Sequence, residues 1–205
     1  MDNFVLLGLP RQPAPDPESV KTKFLEMSAA THPDRFHHAG AAEQTAATER
    51  YATVNAAYNC LREPRSRLVH LLELESGAAP ANVQSIPEGA MNLFAETGQT
   101  CREADQFLAR RGKAVSPLAQ AQLFGEGLRQ MEKLNALRAQ LGLREAEFLA
   151  ELNRMNAAWD AAPLPGSPMR AASLPLRRLE EIYRLLSYLA RWSSQLQERV
   201  AQLAI

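Results

Sequence analysis

Apolar residues recur at helical spacing along almost the whole chain, and no comparable run alternates with the period of a strand. Val20, Phe24 and Met27 stand at steps of four and three. Asp16-Pro17 ahead of them supplies a helix cap and a proline suited to the first helical position. Ala47, Tyr51, Val54, Tyr58 and Leu61 then hold an unbroken 4-3-4-3 stripe, which places all five on one helical face. Pro64 ends that helix and opens the next, where Leu68, Leu71 and Leu72 turn inward. The first 75 residues therefore predict a short helical turn, two antiparallel helices and a shorter fourth. The connection between the two long helices reads "HPDRFHHAG".

The pattern then breaks at "SGAAPANVQSIPEG", a small, polar and proline-bearing stretch that suits a linker. Helical signals resume over about 88–110, 117–141 and 144–160, the last with Phe148, Leu152, Met155 and Trp159 on one face. "PLPGSPMRAASLP" interrupts again. A final helix follows, with Ile182, Leu185, Leu189, Trp192, Leu196 and Leu203 as its inner stripe. No internal repeat is visible. The expected architecture is all-α: a first unit over 1–76, a linker over 77–87 and a helical bundle over 88–205.

Composition narrows the function classes. Apolar residues make up 46% of the 205, enough for a packed core and against general disorder. Lys and Arg total 23 and Asp and Glu total 23, so no global charge attracts nucleic acid or an anionic membrane. Neither partner is expected. Cys60 and Cys101 form no CxxC pair and are too few for a disulfide framework, which points to a reduced, cytoplasmic protein. The opening "MDNFVLLGLP" has no basic start and no cleavage site of a signal peptide. No run reaches the roughly 18 apolar residues a membrane span needs.

The densest chemistry is "THPDRFHHAG", which holds three of the four histidines. A metal site would draw on His32, Asp34, His37 and His38, but Pro33 stiffens the segment and no second element offers ligands at matching spacing. No metal or cofactor is expected. An enzyme needs a nucleophile beside an imidazole, a phosphate loop or paired carboxylates, and none of these signatures is present. The remaining reading is recognition by another protein.

A His-Pro-Asp tripeptide between two antiparallel helices is the signature of J-domains, and this chain resembles them over residues 3–75. An amphipathic helix ends just before the tripeptide and "RF" follows it. "VNAAYNCLREPRSR" is similar to the family's third helix and its proline-marked turn. The N-terminal placement, with a second helical unit directly after, resembles the HscB family, co-chaperones of iron–sulfur cluster biogenesis. "FVLLGLP", "KFLEMSAATHPDRF", "AAEQTAATERYATVNAAYNCLREPRSR" and "HLLEL" carry that resemblance. "READ" (Arg102 to Asp105) and the long last helix fit more loosely.

The resemblance implies a protein that performs no chemistry itself. Its J-domain would engage an ATP-dependent chaperone of the HscA or DnaK type and stimulate ATP hydrolysis. Its C-terminal bundle would hold the scaffold protein IscU. His32, Pro33 and Asp34 would face the chaperone, with Asp34 pairing a guanidinium, Pro33 fixing the backbone and His32 orienting the loop. Lys21, Lys23 and Arg35 would add positive charge beside the loop, although the two lysines also suit an ordinary solvated helix face. Leu93, Phe94 and Glu103 would form the client face, although Leu93 and Phe94 also have the spacing of core residues.

Two departures from the family stand out. Ala30-Thr31 replaces the usual polar or basic residue and tyrosine before the histidine, and Gly98-Gln99 interrupts the apolar and acidic face expected to hold the client. Alternative readings are a J-domain protein with another client, or a structural module whose tripeptide has fallen silent.

Overall fold

The computed structural model describes residues 1–80 and 89–204, and every regular element among them is helical. The helices are α1 (Asn3–Leu6), α2 (Pro17–Thr31), α3 (Ala41–Arg62), α4 (Pro64–Ser76), α5 (Met91–Arg111), α6 (Pro117–Asp160), α7 (Arg170–Ser173) and α8 (Leu176–Leu203). A 3-10 turn, Pro33–Phe36, sits between α2 and α3. Asp16 caps α2 by accepting the Ser19 N–H at 2.9 Å, with Pro17 in the first turn as expected. Glu63 caps α4 in the same manner through the Ser66 N–H at 2.6 Å.

The expected boundary near residue 142 does not exist. The stretches 117–141 and 144–160 form one helix, α6, which passes through Gly142 without interruption. A glycine inside a helix costs only about 1 kcal/mol and keeps its backbone N–H, whereas a proline would have removed it. The expected linker over 77–87 falls largely outside the described residues. Its start is visible: Gly77 closes α4 at a φ of 79°, a left-handed conformation suited to glycine.

The chain divides into two compact units. The first joins Met1–Ala81 with Leu149–Tyr183, and the second joins Asn82–Phe148 with Arg184–Ile205. The first unit is thus larger than the N-terminal 76 residues expected of it, because side chains from 149–183 pack on the N-terminal helices. In that unit α2 and α3 run antiparallel: Phe24 stacks on Tyr58 at 4.1 Å and His32 meets Tyr51 edge-on at 5.2 Å. Val20, Val54, Ala57 and Leu61 are buried, as are Leu68, Leu71 and Leu72 of α4. Leu152, Trp159, Leu174, Leu179 and Ile182 bring the later segment into this unit's interior.

Polar bonds join the same pieces. Glu75 and Arg170, both nearly sealed from solvent, form a bidentate pair with distances of 2.8 and 2.9 Å. Arg170 also donates to the Pro163 carbonyl at 2.6 Å, and Arg11 reaches Glu75 at 3.7 Å while binding Asp2 at 2.8 Å. Asn156 clasps Ala14 from both sides, accepting its N–H at 3.0 Å and donating to its carbonyl at 2.7 Å. Nothing in the hydrophobic periodicity foreshadows these contacts.

The second unit packs α5, the first part of α6 and the end of α8 around Ala104, Phe107, Leu134, Leu137, Leu141, Trp192 and Leu196. Asp105 holds Arg199 through two bonds of 2.9 and 2.8 Å. Arg111 donates to the last carbonyls of α8, Leu203 at 3.0 Å and Gln202 at 2.6 Å. That guanidinium satisfies acceptors which a helix end otherwise leaves to water.

Two predictions follow from the first unit's polar contacts. Glu75→Gln leaves the Arg170 charge buried without a counter-charge and should cost about 3–5 kcal/mol, read from the urea midpoint. The double replacement Glu75→Leu with Arg170→Met should cost clearly less, because it removes both charges together.

His70 supplies the second. Its Nε2 accepts the Asn3 N–H at 3.0 Å and its ring stacks on Phe4 at 6.0 Å. Burial pushes its pKa below the usual 6.5, against the opposing pull of the Asp2 carboxylate. The unfolded chain therefore takes up this proton at a higher pH than the folded one. This contribution to stability is complete above about pH 6.5 and is lost as the pH falls below it. The urea midpoint should drop between about pH 7 and about pH 5, and His70→Gln should flatten that part of the profile.

Candidate functional site: an exposed His-Pro-Asp turn

Local chemistry builds the turn. A residue before proline disfavours the helical region, so His32 leaves α2 in an extended conformation (φ −59°, ψ 129°) and the helix stops at Thr31. The Thr31 hydroxyl donates to the Met27 carbonyl at 2.8 Å. Pro33 then starts the 3-10 turn with its fixed φ and no N–H to satisfy. Within it, the Asp34 N–H donates to Nδ1 of His32 at 3.3 Å, and the Arg35 N–H donates to the His32 carbonyl at 3.1 Å. With Nδ1 accepting, the imidazole proton belongs on Nε2.

The result is a braced backbone with a free carboxylate. The Asp34 side chain is 88% exposed, and its nearest cationic candidate is His32 Nδ1 at 3.5 Å, the same atom that accepts the Asp34 N–H. The His32 ring rests edge-on against Tyr51, so α3 supports the turn from beneath. On the far side, Gln44 donates to the His37 carbonyl at 3.2 Å and to the Ala39 carbonyl at 3.0 Å. Tyr51 and Gln44 are the positioning residues that the motif alone missed. Tyr51 was legible only as core, and Gln44 as one more polar residue in the first turn of α3.

The basic residues expected beside the loop are unevenly placed. Arg35 is adjacent, but its guanidinium bends back to the Ala29 carbonyl at 3.3 Å and caps α2. Lys23 pairs with Glu26 at 3.0 Å. Lys21 is exposed. At about 1.5 Å per residue, Lys21 and Lys23 stand roughly 16 and 14 Å back from His32 along α2. The remaining histidines turn to each other and to the backbone: His37 Nδ1 donates to the Asp34 carbonyl, and the His37 and His38 rings lie 3.6 Å apart. Among the described residues no group of three or more His, Cys, Asp or Glu side chains converges as a metal site would require.

The residues expected on the client face lie on α5 in the second unit and divide by role. Leu93 is half-buried and packs on the unit's core. Phe94 is 44% exposed, with its ring 6.2 Å from that of Trp192. Met91, one turn earlier, is 55% exposed. Glu103 is bound to Lys133 and accepts a bond from Gln99 at 2.8 Å, and these bonds hold its carboxyl below the usual range. Gly98 and Gln99 lie within α5, which runs continuously to Arg111.

No helix among the described residues is long and apolar enough to cross a membrane. No protein-family model matches the sequence. Solved structures do match. The chain is similar to the chaperone HscB from Vibrio cholerae, with a TM-score of 0.61 and 20% identity over 99% of both chains. It is also similar to the human co-chaperone protein HscB, with a TM-score of 0.56 and 18% identity over 98% of this chain and 81% of that one. From end to end, this chain has the fold of the HscB co-chaperones.

Proposed function

We propose that the protein is a co-chaperone whose His32-Pro33-Asp34 turn engages an ATP-dependent chaperone of the HscA or DnaK type and stimulates its ATP hydrolysis. In this reading the second unit delivers an IscU-type scaffold protein to that chaperone in the cytoplasm, during iron–sulfur cluster assembly. The likeness to HscB structures across nearly the whole chain supports the class. The single observation that carries the role is the Asp34 carboxylate, 88% exposed on a turn braced from both sides. A charge held outward, with no lysine or arginine paired to it among the described residues, suits a charge-assisted bond to a partner's guanidinium, worth about 1.5–3 kcal/mol. The bracing lowers the ordering cost of making that bond.

The protein needs no catalytic group for this role. It favours one state of its partner by touching that state better, and the partner hydrolyses the nucleotide. Lys21 is the expected cation with its charge outward, and Arg35 supports the turn as much as it faces a partner. The client face is best supported at Phe94 and Met91, which present apolar surface. Glu103, already bound to Lys133, is a weaker candidate. That commitment favours a second reading in which the client is a protein other than an IscU-type scaffold.

Asp34→Asn should leave helical content and thermal stability unchanged yet abolish stimulation of the chaperone's ATPase in a single-turnover assay. Stimulation at the wild-type level would reject the role of the turn. On the second unit, Leu93→Ala should lower stability by about 2 kcal/mol, because it opens a gap beside the core. Phe94→Ala should leave stability nearly unchanged and weaken IscU binding by roughly 2 kcal/mol in calorimetry. Equal IscU affinity in Phe94→Ala and wild type would move the docking face elsewhere.

A further inference from the structure

The first unit contains a cavity of about 680 Å³, between the segment leading into α2, the α3–α4 corner and the α6 residues from 149 onward. Val20, Leu61 and Leu149 give it apolar walls, and Tyr58, Asn153 and Arg67 complete the part that concerns a ligand. Its size is that of an ordinary small-molecule site.

Arg67 is the unusual member. It is 7% exposed, and two of its guanidinium nitrogens are spent on neutral acceptors: Nε donates to the Pro13 carbonyl at 2.8 Å and Nη1 to the Leu61 carbonyl. Among the described residues no carboxylate forms an ion pair with it, and Nη2 has no acceptor. Burial draws its pKa down to about 10, against the opposing pull of Glu63 and Cys60. Carbonyl dipoles position such a cation but do not cancel its charge, so an arriving anion gains both a hydrogen bond and a counter-charge. The contrast with Arg170, equally buried but paired bidentately to Glu75, sets Arg67 apart.

The other polar groups of the cavity restrict the ligand. Asp16 accepts both the N–H and the hydroxyl of Ser19 at 2.9 and 2.7 Å, so its carboxylate is committed to capping α2. It and Glu18 nevertheless put negative charge in the lining, beside the positive charges of Lys21, Arg62 and Arg67. The Arg62 guanidinium lies 5.4 Å over the Tyr58 ring. A dianion would meet the two acids, whereas a single negative charge on an apolar body satisfies Arg67 and fills the space beside Val20, Leu61 and Leu149.

We propose that this cavity binds a small organic monocarboxylate, its carboxylate on the free nitrogen of Arg67 and its apolar body against Val20, Leu61 and Leu149. The site is separate from the His-Pro-Asp turn, and the proposal stands or falls independently of the co-chaperone role.

The test is a titration of the isotopically labelled full chain with benzoate, followed by NMR. Benzoate should produce saturable shifts at the Arg67 Nε–H and at the amides of Val20, Leu61 and Asn153. Benzamide has the same shape without the charge and should bind at least about tenfold more weakly. Inorganic phosphate should also bind more weakly than benzoate. Arg67→Met should abolish the benzoate shifts; if that variant does not fold, the benzoate–benzamide comparison on the wild-type chain decides alone. Equal affinity for benzoate and benzamide, phosphate binding as tightly as benzoate, or the absence of saturable shifts at these four residues would overturn the proposal.

Discussion

The bidentate pair between Glu75 and Arg170 is the constraint on which the first unit's architecture rests. Ninety-five residues separate the two, and both are almost completely out of water. Desolvating two charges is expensive, and the cost is offset only when each partner is in place and the remaining hydrogen-bond capacity is used. Here Arg170 spends a further nitrogen on the Pro163 carbonyl, and Glu75 lies close to Arg11, which in turn holds Asp2. A pair of this kind adds little net stability over a well-packed apolar alternative. It strongly penalises any arrangement that separates its members, and so it selects one arrangement of 149–183 on the N-terminal helices.

That arrangement matters to the turn at the other end of the hairpin. His32, Pro33 and Asp34 need a firm base to present a carboxylate at low entropic cost, and the base is α3 through Tyr51 and Gln44. The helix α3 is in turn set by its packing on α2 and by the buried leucines of α4. Rigidity originates in the core, and the exposed charge at the tip uses it.

The second unit follows a different logic. It is a plain helical bundle, closed by apolar side chains and tied at its surface by Asp105–Arg199 and Glu103–Lys133. Its candidate contact surface consists of what the core leaves over. Leu93 points into the packing while Phe94, its sequence neighbour, remains open beside Trp192. Adjacent residues on a helix are about 100° apart around its axis, so one can be core while the next faces a partner.

Much of this was legible in the order of residues. Helical spacing from Val20 to Met27, from Ala47 to Leu61 and from Ile182 to Leu203 names the helices, because periodicity reports local geometry directly. The cap at Asp16, the prolines at 17, 33 and 64 and the His-Pro-Asp turn are equally local, since each acts on backbone within a few residues. The continuity of α6 through Gly142 was not legible, because a glycine weakens a helix without forbidding it. Nor could the sequence place Arg67 on two carbonyls, pair Glu75 with Arg170, clasp Ala14 with Asn156 or part Leu93 from Phe94. Those outcomes depend on side chains from segments as much as 142 residues apart meeting in three dimensions, and spacing along the chain carries no record of such meetings.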